Sequence, residues 1–134
     1  MSRIYLLTLC LLQFLFSCKE ENKRPEDALG TARSFIRHSL DGNYNDAREL
    51  MLQDSINNFE LEELEKRYDH NLSKTEKEGY KNASIIIHSV DQVNDSVVII
   101  NYSNSYKKKQ MPVKVILKEG IWQVDLQYTF SGNL

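Results

Sequence analysis

The side chains able to do chemistry in this 134-residue chain are few and scattered. Its three histidines, His38, His70 and His88, have no second histidine or cysteine at the short spacing that ligands on one helix or turn require, so no metal site is expected. No serine stands in a Gly-x-Ser-x-Gly elbow. The five glycines are too dispersed to form a phosphate-cradling loop, and no cofactor is expected. One carboxylate, Asp125, falls in an apolar stretch near the C-terminus, where a general acid or base would be well placed. To act there it must come within hydrogen-bond reach of the proton it moves. Which way it faces depends on the element that carries it.

That element is residues 111–128, MPVKVILKEGIWQVDLQY, which reads as a β-hairpin closed by Glu119-Gly120, with Gly120 supplying positive φ. In this register Leu117 faces Trp122, Val115 faces Val124, Val113 faces Leu126 and Met111 faces Tyr128, all on one apolar face. On the other face Lys114 meets Asp125 and Ile116 meets Gln123. A slip of one residue would set Trp122 against a lysine, so the register is strongly specified. Asp125 therefore points away from the apolar face and is not expected to be catalytic; no catalytic residue is assigned. Met111 and Tyr128, at the open end, are the candidates to contact a ligand. Ile116 and Ile121 stand on the polar outer face among Lys114, Lys118, Gln123 and Gln127.

Elements upstream must cover the apolar face. Pro25, Glu26 and Asp27 suit the first turn of a helix, in which Ala28, Leu29, Ala32, Phe35, Ile36 and Leu40 share one side and Thr31, Arg33 and Arg37 the other. Asp41-Gly42-Asn43 ends it, and Asn43 caps a second, shorter helix bearing Tyr44, Ala47, Leu50 and Met51. Asp54 or Ser55 caps a third, with Ile56, Phe59, Leu64 and Tyr68 on one face. Residues 73–79 have no apolar period and read as a loop. Two β-branched strands follow, at 83–90 and 96–102, separated by Asn94-Asp95. Lys107-Lys108-Lys109 lies in the link to the hairpin, where a solvated loop and a contact with anionic lipid or an acidic partner are the two readings. Helices followed by four consecutive strands predict an α+β domain with an antiparallel meander and the helices on one face.

The N-terminus gives an address. Arg3 precedes an apolar run, Ile4 to Phe16, that is shorter than the roughly 20 residues needed to span a bilayer. The run ends Leu15-Phe16-Ser17-Cys18, which resembles the lipobox of bacterial lipoproteins. Residues 1–17 are then a signal peptide and Cys18 is the lipidated, membrane-anchoring residue. Residues 18–24 are the lipidated Cys and a polar tether, of which Lys19–Arg24 spans at most about 20 Å. Lys19-Glu20-Glu21 resembles a signal that sends some lipoproteins to the outer cell surface, so the expected location is the outer membrane, on its periplasmic face or at the surface. Cys10 leaves with the signal peptide, so no disulfide is expected. The formal net charge of −2 argues against nucleic acid as a partner.

The remaining domain, residues 25–134, resembles the nuclear-transport-factor-2-like superfamily, in particular small bacterial lipoproteins of unknown function within it. The resemblance rests on a first helix ending in Asp41–Tyr44, an Ala-Arg-x-Leu pattern at Ala47–Leu50 and a final hairpin at Leu117–Val124. It implies a cone-shaped, cystatin-like fold, helices on a curved four-stranded sheet, and a homodimer through the outer sheet face. Relatives include enzymes, binding modules and scaffolds. The function expected is a non-enzymatic, membrane-anchored module for a protein or glycan partner. The alternative is a small-molecule-binding or isomerase-like cone with its pocket at the open end. A cavity of about a few hundred Å³ with convergent polar groups would favour the alternative.

Overall fold

The structure, a computed structural model, describes residues 23–130; Cys18 and the apolar run before it lie outside the described residues. Helices α1 (Ala28–Asp41), α2 (Tyr44–Arg48), α3 (Ser55–Asn71) and α4 (Lys74–Lys81) precede strands β1 (Ile85–Asn94), β2 (Val97–Asn104), β3 (Met111–Lys118) and β4 (Ile121–Asp125), and α5 (Leu126–Phe130) follows. The strands form one open antiparallel sheet in sequence order. This is the α+β class that the sequence predicts.

The stripe Ala28, Ala32, Phe35, Ile36 and Leu40 is buried, and α1 touches all four strands. The helix begins at Ala28 rather than at Pro25, because the Asp27 side chain accepts the Gly30 N–H and so takes the cap position. Gly42, at φ 78°, closes it in the left-handed conformation, and the Asn43 N–H reaches the His38 carbonyl. Thr31 is on the buried side, not the outer one: its hydroxyl donates to the Asp27 carbonyl at 2.8 Å, which makes it tolerable there. Asn43 occupies the cap position of α2, but its side chain donates to Asp46 instead of capping.

The final hairpin has the expected register: Leu117 pairs with Trp122, Val115 with Val124, Ile116 with Gln123 and Lys114 with Asp125. Glu119 and Gly120 both have positive φ, as the tight hairpin turn requires. The ladder then stops two pairs early. Val113 does not pair with Leu126, nor Met111 with Tyr128, because the chain turns into α5 after Asp125. Pro112 has no N–H to offer a fourth strand, while the buried Asn57 side chain takes the Leu126 N–H at 2.6 Å and Thr129 donates to the Pro112 carbonyl. The far edge of β4 is covered in part by Leu50–Leu52, through Val124 N–H to Leu50 and Leu52 N–H to Val124.

Two further expectations fail. Residues 73–79 are not a loop: Ser73 and Glu76 form a reciprocal capping box that starts α4. A helix of eight residues need not show an apolar period when its ends are held, and here Arg37 grips the other end by donating to the Tyr80, Lys81 and Ala83 carbonyls. The α3 face is as expected at Leu64 and Tyr68 but not in its first turns. Ile56 and Phe59 are exposed, while Asn57, Leu61 and Tyr68 are buried. Asn57 wins the interior because Asp54 and Leu126 satisfy its amide. Strands β1 and β2 each run further than their β-branched cores, and the turn between them is Asp95-Ser96, bridged by Asn94 accepting the Ser96 N–H.

Candidate functional site

At the C-terminal end of α1 the layer between helices and sheet is not closed. A cleft of about 530 Å³ opens there. Its walls come from six elements: Ser39 and Leu40 of α1, Tyr44 of α2, Leu64, Arg67 and Tyr68 of α3, Tyr80 of α4, Tyr102 and Asn104 of β2 and Met111 of β3. Leu72, Lys107 and Lys109 complete it from the loops.

Each wall is held in place by local chemistry. The Tyr44 and Tyr68 rings meet edge to face with centroids 5.7 Å apart, and Tyr80 meets Tyr106 likewise at 5.1 Å. Tyr68 is pressed against Gly42, whose missing Cβ leaves room for the ring. Its hydroxyl is buried and has no hydrogen-bond partner among the described residues. Tyr80 depends on Arg37, which accounts for the carbonyls at the end of α4 and is fixed in turn by Asp41 at 2.7 Å. The 104–110 loop is shaped by the Asn104 side chain, which accepts the Tyr106 and Lys107 N–H groups. Lys107 lies over the Tyr106 and Tyr80 rings and 3.9 Å from Glu76.

Burial shapes the phenols. It pushes Tyr102 up to about 12 and raises Tyr44 and Tyr68 as well, with neighbouring acidic side chains adding to the rise for both. All three are neutral hydrogen-bonding groups near neutrality. Among the described residues no carboxylate or imidazole lines the cleft, and its walls supply apolar surface, phenols, a hydroxyl, an amide and three cations.

The sequence-derived residues fall unevenly about this site. Met111 lines the cleft. Tyr128 does not: it sits in α5, where the Lys114 ammonium lies 5.6 Å from its ring. The two are separated because β4 ends before it can bring Tyr128 opposite Met111. Asp125 pairs with Lys114 at 3.3 Å, on the face away from buried Val113, Val115 and Val124. His38 is 3.9 Å from Asp46, in a smaller hollow beside α2, and His88 is 2.8 Å from the Ser103 hydroxyl. Among the described residues no group of three or more His, Cys, Asp or Glu could hold a metal ion. On the outer face Ile121 is exposed and Ile116 half-buried beside Val97.

Tyr44, Tyr80, Tyr102 and Arg67 were not legible as site residues, since each stands on a different element and nothing in their spacing joins them. The one signal was compositional, seven tyrosines against one tryptophan. No protein-family model, curated protein or solved structure matches this chain.

Proposed function

We propose that this chain is a non-catalytic binding module, held at the bacterial outer membrane by a lipid on Cys18, that takes a small molecule with an apolar or aromatic body into the tyrosine cleft. The observation that carries this is the cleft itself. At about 530 Å³ it has the size of small-ligand sites, and its walls are mostly apolar and aromatic with a few convergent polar groups. Of the two functions expected from sequence, it favours the small-molecule one over a protein or glycan partner. The case against catalysis is chemical. A general base near neutrality needs a group that ionises there, and among the described residues no carboxylate or imidazole lines the cleft. Membership of the nuclear-transport-factor-2-like superfamily belongs to the same reading, supported by helices that precede an open antiparallel sheet.

The test fills the cleft and cuts the anchor. In the mature protein a neutral aromatic probe, 2-naphthamide, should bind saturably, and Met111→Trp should abolish that binding while the folded circular-dichroism spectrum persists. Saturable binding that Met111→Trp leaves unchanged would refute the site. Cys18→Ser should release the protein from membranes; a variant that stays membrane-bound refutes the address.

A further inference from the structure

Three cations line the cleft, and two of their side chains have no ion-pair partner among the described residues. Arg67, Lys107 and Lys109 line it, and no acid does. The acids nearest the rim are largely engaged elsewhere. Asp41 is held by Arg37, Glu65 lies 4.0 Å from Arg48, and Glu76 caps α4 through Ser73 while lying 3.9 Å from Lys107. Asp69 is close enough to raise the Tyr44 and Tyr68 phenols, but it is not in the cleft wall. Arg67 and Lys109, by contrast, make no hydrogen bond or ion pair among the described residues. Two cations without an ion-pair partner among the described residues line a pocket whose other walls are mostly rings and aliphatic side chains. A ligand that fits both parts has an apolar or aromatic body and one anionic end.

We infer that the cleft selects amphiphilic anions, with the carboxylate, phosphate or sulfonate of the ligand held at the rim by Arg67 and Lys109 and its body among Tyr44, Tyr68, Tyr80 and Tyr102. This rests on the binding reading above and adds the ligand's chemical class. Guanidinium supplies a planar fork that matches such an anion. Lys107 is the lesser partner, since Glu76 and two rings already occupy it.

The anion could belong to a dissolved molecule or to a lipid headgroup. The dissolved source is the one proposed. The chain enters the domain at the N-terminal end of α1, where Arg24 donates to the Trp122 carbonyl, and the mouth lies at the other end of that helix, about 20 Å away.

The experiment compares two isosteric probes, 2-naphthoate and 2-naphthamide, by calorimetry on the mature protein in phosphatidylcholine nanodiscs, with empty discs subtracted. The anion should bind at least tenfold more tightly, and added NaCl should reduce that advantage. Arg67→Gln with Lys109→Gln should bring 2-naphthoate down to the affinity of 2-naphthamide. Equal binding of the two probes to the unmodified protein overturns the charge selection and leaves the cleft as a neutral site. No saturable binding of either probe overturns the binding reading itself. An advantage that survives the double substitution overturns the assignment to Arg67 and Lys109. Discs containing phosphatidylglycerol settle the source: unchanged 2-naphthoate affinity supports a dissolved ligand, and competition by the lipid overturns that preference in favour of a headgroup.

Discussion

In the half of β3 that leads to Glu119-Gly120, the space under the helices is filled: Val115, Val124 and Met51 have no exposed surface, and Val124 pairs with Val115 on one side while its N–H and carbonyl bond to Leu50 and Leu52 on the other. In the other half, from Asn104 to Met111, the same layer opens into a cleft walled by tyrosines. The filled half is made by regular pairing, where alternation puts every second residue inside. The open half is made by exceptions: a glycine that admits a ring, an arginine on carbonyl ends, an asparagine that folds a loop. One half supplies rigidity and the other a site, so disturbing them should give separable results.

The largest effect is expected at Gly42. An added Cβ would sit 2.5 Å from the Tyr68 ring, on a backbone at φ 78°. Gly42→Ala therefore combines left-handed strain of about 1–2 kcal/mol with displacement of a buried ring costing about 1–3 kcal/mol. Chemical denaturation should show a loss of about 3 kcal/mol, together with loss of 2-naphthamide binding, because Tyr68 is a wall. Val124→Ala in the filled half removes two methyl groups and should cost about 2 kcal/mol. It should leave probe affinity unchanged. If Val124→Ala weakens binding as much as Gly42→Ala does, the two halves are one cooperative unit and the comparison fails.

Alkaline titration sharpens the same contrast. Burial raises the Tyr102 phenol from 10.0 to about 12 in the folded state. A group whose folded pKa is raised stabilises fully below its unfolded pKa and loses that contribution as pH climbs through the folded one. Stability should therefore decline between about pH 10 and 12. Tyr102→Phe should flatten the decline in part, the remainder belonging to Tyr44 and Tyr68, whose phenols are raised too. Urea midpoints at pH 9 and 11 would check it; an equal decline with and without Tyr102 would exclude that phenol.

The same division explains what the sequence could tell. The filled half was readable to the residue, because a period-two pattern with one opposite-charge pair allows a single register, and Lys114 does meet Asp125. The open half was readable only as fragments. Ser73-x-x-Glu76 was a capping signal on the page, but a helix without an apolar stripe lacks the period that announces one. The exposed face of α3 misled for a related reason: Ile56 and Phe59 look like core, and Asn57 takes the interior only because Asp54 and the Leu126 N–H lie where they do. Tyr128 was extrapolated from a ladder that continues until a proline stops it. The cleft joins residues from six elements, and such convergence has no local spacing to read.

The smallest effects lie at the two ends of β3, where each half keeps one residue in the left-handed region without being glycine: Glu119 at φ 53° in the tight turn and Lys108 at φ 58° in the rim loop. Asparagine tolerates this conformation better than either, through its short polar side chain. Glu119→Asn should stabilise by a few tenths to about 1 kcal/mol and raise Tm by roughly 2–6 °C, with no change in probe affinity. Lys108→Asn relieves similar strain, but in the loop that carries Lys107 and Lys109 into the cleft wall. A similar gain in Tm should therefore come with a small change in 2-naphthoate affinity, within about threefold. Calorimetric Tm and affinity measured on both variants separate the halves: a gain in Tm alone at residue 119, and a gain coupled to binding at residue 108. Should Glu119→Asn alter the affinity as well, the hairpin turn reaches the cleft through β3 and the filled half is part of the site.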